Sequence, residues 1–102
     1  MDYQFLQLEQ QNQVATVWIN RAELHNAFNT QVIEELHTCF QSLNNRDDVR
    51  VVILAGRGKS FSAGADLNWM KQAGQASQAD NEADALKLAK MLQSLATLKQ
   101  PT

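Results

Sequence analysis

The apolar positions of this chain change period along its length. Tyr3-Gln-Phe-Leu-Gln-Leu-Glu9 alternates loosely, and Val14-Ala-Thr-Val-Trp-Ile19 is a run of β-branched and aromatic residues. Both predict strands, and the polar stretch Gln10-Gln-Asn-Gln13 between them predicts an antiparallel hairpin. Residues 20–28 lose any clear period and are rich in polar side chains, so a loop is expected there. The period then becomes helical. Val32, Ile33, Leu36, Cys39, Phe40 and Leu43 form one apolar stripe, with Gln31, Glu34, Glu35, Thr38 and Gln41 expected to face away. Asn29 and Thr30 are both capping types, and Glu34 lies close enough to Thr30 to support the first turn. Turn formers at Asn44-Asn-Arg-Asp-Asp48 end the helix.

The run Val51-Val-Ile-Leu-Ala55 is continuous enough to predict a strand buried on both faces. Gly56-Arg-Gly-Lys59 reads as a flexible basic loop. Residues Lys59-Ser-Phe-Ser-Ala-Gly-Ala-Asp-Leu67 follow, and an amphipathic segment opens at Leu67. A buried strand, a small-residue turn and a helix start are a common place for a ligand site. Gly64 permits positive φ and close backbone approach, and Ala63 and Ala65 leave the neighbouring backbone uncovered. Asp66 is a suitable N-cap for a helix starting at Leu67. Such a turn can present backbone N–H groups to an oxygen that gains negative charge. The same residues also serve an ordinary strand-to-helix connection. Residues 74–81 read as a connection or a frayed helix. A last helix is expected from Glu82 to Leu98, with Leu86, Ala89, Leu92, Leu95 and Ala96 buried. Pro101 stops it.

Composition narrows the function classes. A net charge of -2 and scattered basic residues argue against nucleic acid as a partner. No apolar run approaches a membrane span and no signal-peptide pattern opens the chain, so the expectation is a cytoplasmic protein with no membrane partner. The single cysteine, Cys39, rules out an internal disulfide and reads as a small buried hydrophobe. No Cys/His cluster has metal-ligand spacing, so no metal is expected. His37 lies in the first helix without a partner pattern and receives no role. Arg57 and Lys59 read as solvated loop charges, with attraction of phosphates as the alternative.

The order of hairpin, loop, helix, buried strand and Ala-Gly-Ala-Asp turn carries a resemblance. Asn20-Arg21, Asn26-Ala27 and Asn29 share it with Asp48-Val-Arg-Val-Val-Ile-Leu-Ala-Gly56, Gly58-Lys59 and Phe61-Ser-Ala-Gly-Ala-Asp-Leu67. On these residues the chain resembles the N-terminal part of the enoyl-CoA hydratase/isomerase (crotonase) superfamily. Ala22 departs from the family's usual proline. His25-Asn-Ala-Phe-Asn29 with Asp66-Leu-Asn-Trp-Met70 looks most like hydratases of branched substrates such as methylglutaconyl-CoA. Lys99-Gln-Pro-Thr102 looks like the segment before the family's next core strand.

The resemblance implies an α/β architecture, the N-terminal portion of a ββα-repeat (ClpP/crotonase-type) fold. Residues 1–102 would form the N-terminal part of one crotonase-like domain, ending before the next core strand. It implies an enoyl-CoA hydratase that adds water to an α,β-unsaturated acyl-CoA, in fatty-acid or branched-chain amino-acid and isoprenoid catabolism. Alternatives are an enoyl-CoA isomerase, or a non-catalytic CoA-binding or subunit-interaction remnant. The backbone N–H of Ala65 carries over as one oxyanion-hole donor. Leu24, His25, Ala63, Ala65, Asp66 and Leu67 carry over as residues around the CoA portion. His25 could equally be a surface histidine. Trp69 could line the acyl pocket, but its helical spacing from Ala73 reads as core packing. Asp66 is read as a cap rather than an acid or base. CoA belongs to the substrate, so no separate cofactor is implied; trimers or hexamers of identical chains are. The second oxyanion donor and the catalytic glutamates of the family lie beyond the point matching Thr102. The 102 residues alone are therefore expected to be inactive.

Overall fold

The computed structural model describes residues 3–59, 61–62, 64, 66–75 and 77–102. Strands β1 (Leu6–Gln11) and β2 (Val14–Ile19) form the antiparallel hairpin. β1 starts and ends later than its alternation suggests, leaving a two-residue turn whose Asn12 adopts φ of 56°. Asparagine tolerates that left-handed backbone better than most residues. Helix α1 (Thr30–Asn44) crosses to β3 (Val51–Gly56), which runs parallel to β2. The sheet order is β1-β2-β3.

The register explains the core. Ala15 faces Val52, Val17 faces Leu54, and Leu6 faces Ile19 across the sheet. Their side chains share the face that meets the apolar stripe of α1. Val32, Ile33, Leu36, Cys39, Phe40 and Leu43 are all buried, as the helical period predicts. The cap is Asn29, whose side chain accepts from Val32 N at 3.0 Å; Glu34 instead pairs with Lys87. Cys39 is fully buried, and burial raises its thiol pKa. Burial also pushes the Tyr3 phenol, which lies near that thiol, up to about 12.

Four expectations are corrected. Glu35 does not face away: it is buried, and its Oε1 accepts from Gln4 N at 2.5 Å and Phe5 N at 3.0 Å. The chain entering β1 lies over this flank of α1, and two backbone donors there need an acceptor. Second, β3 is buried on one face only. Val52 is inaccessible, whereas Val51 and Ile53 are 38% and 46% exposed, because α1 covers one side and α3 stacks on α1. Third, the last helix starts before Glu82, and residues 74–81 are largely helical, the second of the two alternatives read there. α2 (Leu67–Gln75) reaches into this stretch, and α3 (Gln78–Ala96) starts with Ser77 accepting from Asp80 N at 3.1 Å.

Fourth, α3 buries a different face. Met91 is buried, with Leu88, Leu95 and Leu98 packed against the core, while Leu86 and Leu92 are about half exposed and Ala89 and Ala96 are exposed. The chosen stripe and the real one share only Leu95. After α3, Gln100 Nε2 donates to Leu43 O at 2.6 Å and Val52 N donates to Pro101 O at 3.0 Å. These bonds place the terminal segment against α1 and β3.

A surface pair gives a pH dependence. Arg46 grips Asp48 with Nε–Oδ1 of 3.1 Å and Nη2–Oδ2 of 2.7 Å, and Gln10 also donates to Asp48. The Arg46 hydrogen bonds, followed by that of Gln10, hold the Asp48 carboxyl down to about 2. A carboxyl lowered on folding contributes stability above its ordinary value near ~3.9 and loses it as pH falls through the folded value. The Asp48 contribution is therefore expected to vanish between about pH 4 and pH 2. Carbon-detected NMR titration checks this. Arg46→Met should return the Asp48 midpoint most of the way to the ordinary value, and an unchanged midpoint would overturn the assignment.

Candidate functional site

Two loops meet at the end of the sheet where β2 and β3 finish. The first begins at Asn20 and makes a short 3-10 turn, Ala22–Leu24, followed by His25 and Asn26 at φ of 53° and 56°. It is a loop, as its lack of a period predicts, and it is closed on itself. Leu24 N and Asn26 N both donate to Arg21 O, at 3.0 and 2.9 Å, and Arg21 N donates to Asn26 Oδ1 at 2.8 Å. The second loop leads from β3 into α2.

Buried polar side chains join the loops. Asn26 is inaccessible, and its Nδ2 donates to Arg57 O at 2.7 Å. Ser62 Oγ donates to Asn26 O at 2.9 Å and accepts from Gly64 N at 3.1 Å. Phe28 N donates to Gly64 O and Asp66 N donates to Phe28 O, each at 2.6 Å. Arg21 Nη2 pairs with Asp66 Oδ2 at 3.0 Å, and Arg21 Nη1 donates to Ala27 O at 2.9 Å. Arg21 and Asp66 are 8% and 6% exposed, so the pair has little water to compete with it.

Close approach is built into this corner. A Cβ on Gly56 would lie 2.5 Å from Phe61 O and 2.8 Å from Asn26 Nδ2. Gly58 adopts φ of 80°, and a Cβ there would meet Ala22 Cβ at 2.9 Å. Both glycines are therefore required by space, and Gly58 also by its backbone.

The expected site residues fall in distinct places. Leu24 is 46% exposed and His25 is exposed, at the tip of the first loop. Ala63 and Ala65 lie outside the described residues. Asp66 caps α2 through Oδ1, which accepts from Trp69 N at 2.9 Å. Leu67 is the first residue of α2. Trp69 packs against the core, as its helical spacing suggests, and its buried Nε1 has no hydrogen-bond partner. A groove of about 250 Å³ beside it is bordered by Arg21, Thr30, Asp66, Trp69 and Gln72. A larger groove of about 490 Å³ between α1 and α3, lined by His37, Lys90 and Ser94, shares no residue with either loop.

Arg57 is a partly exposed charge, as expected, but it is partnered. It donates to Gln7 at 2.9 Å, pairs with Glu9 at 2.8 Å and lies 3.9 Å over the Trp18 ring. His37 Nδ1 lies 3.3 Å from Ser94 Oγ. Arg21 and Asn26 carry the resemblance, and local spacing gives neither of them a structural role. Arg21 and Asp66 are 45 residues apart, and no local pattern links them.

This corner of two cross-bonded loops can be set beside known proteins. Residues 9–101 match the family described as Enoyl-CoA hydratase/isomerase. The chain belongs to that family. A crystal structure of an enoyl-CoA hydratase from Shewanella pealeana superimposes with a TM-score of 0.94 at 32% identity, covering 97% of this chain and 37% of that one. The architecture is thus the N-terminal portion of the family's α/β fold. The mitochondrial Delta(3,5)-Delta(2,4)-dienoyl-CoA isomerase of Mus musculus is 37% identical over 92 residues, which are 90% of this chain and 27% of the isomerase. The short-chain-enoyl-CoA hydratase of Clostridium acetobutylicum is 42% identical over 66 residues, 64% of this chain and 25% of that enzyme. The chain thus spans about a quarter to a third of these curated relatives. Among the described residues, no helix is long and apolar enough to cross a membrane.

Proposed function

We propose that this chain supplies one wall of the CoA-thioester site of an enoyl-CoA hydratase. Family membership supports the substrate class, and the cross-bonded loops carry the residue assignment. Phe28 pairs with Gly64 and Asp66 on either side of position 65, and Arg21 ties the Leu24–His25 tip to the same turn. In this reading Leu24 and His25 lie near the CoA nucleotide. Residues 63–67 surround the adenine and pantetheine portions, and Trp69 stays a packing residue behind the turn.

The chemistry follows from where charge develops. Addition of water at Cβ moves electrons onto the thioester oxygen, which becomes an enolate. A backbone N–H held in place beforehand stabilises that oxygen more than the ground-state carbonyl and so lowers the barrier. The Ala65 amide is assigned that role. Asp66 moves no proton in this scheme, because its carboxylate is occupied by Arg21 and by the start of α2. The second donor and the glutamates that handle water belong to the remainder of the family fold, as does assembly into trimers or hexamers. Isomerisation is the second reading, favoured by the dienoyl-CoA isomerase of mouse, and it uses the same oxygen-binding wall.

Calorimetric titration of the chain with crotonyl-CoA tests the site. Binding is expected, and Ala65→Pro, which removes the N–H, should weaken it by about tenfold while leaving the circular dichroism unchanged. No binding by the folded chain would overturn the assignment of residues 63–67 as sufficient for a CoA contact.

A further inference from the structure

We propose that Arg21 is a positioning residue that couples the two ends of a bound CoA thioester. The inference rests on the CoA-site reading above and extends it to the link between the nucleotide end and the reacting end. Arg21, like Asn26 and Ser62, has a side chain that the bonding places in both halves of the corner, and it alone of these three pairs with the carboxylate that starts α2. Its backbone closes the turn that displays Leu24 and His25, through bonds of 3.0 Å from Leu24 N and 2.9 Å from Asn26 N. Its guanidinium holds Ala27 O at 2.9 Å and Asp66 Oδ2 at 3.0 Å. Asp66 in turn fixes the first turn of α2 through Trp69 N and donates its own N–H to Phe28 O.

The arrangement is exposed at its two ends and dry in the middle. Leu24 is 46% exposed and Gly64 is exposed, whereas Arg21 and Asp66 are buried. Close-packed interiors resist compression, and a charged hydrogen bond away from water resists stretching. A ligand that orders the Leu24–His25 tip therefore also biases the Gly64–Asp66 turn. The nucleotide of CoA takes no part in bond making. Its binding energy can assist the reaction only if it is used to order the reacting end. The Arg21–Asp66 link is the charged path for that transfer, beside the Asn26, Ser62 and Phe28 bonds that also join the loops.

The test splits the ligand into its two halves. Adenosine 3′,5′-bisphosphate is added to the nitrogen-15-labelled chain. Amide shifts are expected at Leu24 and His25, and also at Gly64 and Asp66. With the bisphosphate saturating, the affinity for an enoyl-pantetheine thioester should rise about fivefold, and the reverse titration should give the same factor. Asp66→Asn keeps an oxygen for Trp69 N but removes the charge facing Arg21. In this variant the coupling factor should fall toward one, judged against the variant's own affinity for each half-ligand alone. Arg21→Lys, which replaces the two nitrogens that hold Ala27 O and Asp66 with a single one, should behave alike.

A merely structural residue would not separate the two quantities. Shifts at the tip and at Gly64 and Asp66 with no gain in thioester affinity overturn the coupling and leave the site reading standing. A fivefold factor that persists in both folded variants overturns the role of Arg21. No response to either half-ligand overturns the site reading and the coupling with it. The wild-type titrations alone decide the first and third outcomes, should the variants fail to fold.

Discussion

Arg21→Met should lower the unfolding free energy by about 3–5 kcal/mol, the usual loss when one partner of a buried ion pair is removed. Domains of this size have roughly 5–15 kcal/mol in total, so the variant should unfold at much lower urea. The reason is not the Coulomb energy of the pair alone. Taking Arg21 away leaves the Asp66 carboxylate 6% exposed without its guanidinium, and also strips Ala27 O of its donor. A second substitution separates these effects. Asp66→Asn in the Arg21→Met background removes the stranded charge yet keeps an acceptor for Trp69 N, so the double variant should recover about 1–2 kcal/mol relative to the single one. Urea unfolding of the four proteins in the cycle gives the numbers. A single-variant loss below ~1 kcal/mol would mean that water reaches the pair, against its burial.

The hairpin, α1 and the start of α2 were legible in the sequence because each is dictated locally. Strand alternation, the stripe from Val32 to Leu43, and Asp66 ahead of Leu67 need no knowledge of the rest of the chain. The small residues around Gly64 marked the candidate turn for the same reason. What failed was decided by distant contacts. Glu35 sits in a polar flank by sequence, and only the path of Gln4 and Phe5 across α1 makes it a buried acceptor. The two-sided burial expected of β3 needs a second layer, whereas α3 stacks on α1. The hub of Arg21, Asn26 and Asp66 joins residues from two loops far apart in sequence, so no spacing rule could have found it. Asp66 is legible locally as a cap, whereas Arg21 and Asn26 stand out only through the family resemblance.

Helix α3 shows the same limit in a form that mutation can measure. Its sequence puts apolar residues on several faces, so period alone admits more than one buried stripe. Contact with α1 selects Leu88, Met91, Leu95 and Leu98, and leaves Leu92 50% exposed. Two truncations at neighbouring levels of the bundle should therefore differ widely. Phe40→Ala, on α1, removes a ring with no solvent exposure and is expected to cost about 3–5 kcal/mol, from lost burial together with the cavity left behind. Leu92→Ala, on the outer face of α3, should stay within about 0.5 kcal/mol of the parent. Thermal unfolding reads the difference, since each kcal/mol moves the midpoint of a domain this size by roughly 4–8 °C. Comparable losses at the two positions would put Leu92 inside, restoring the stripe that the sequence period first suggests and displacing the packing of α3 described above. Separation of the two fixes the rotation of α3 about its axis against α1.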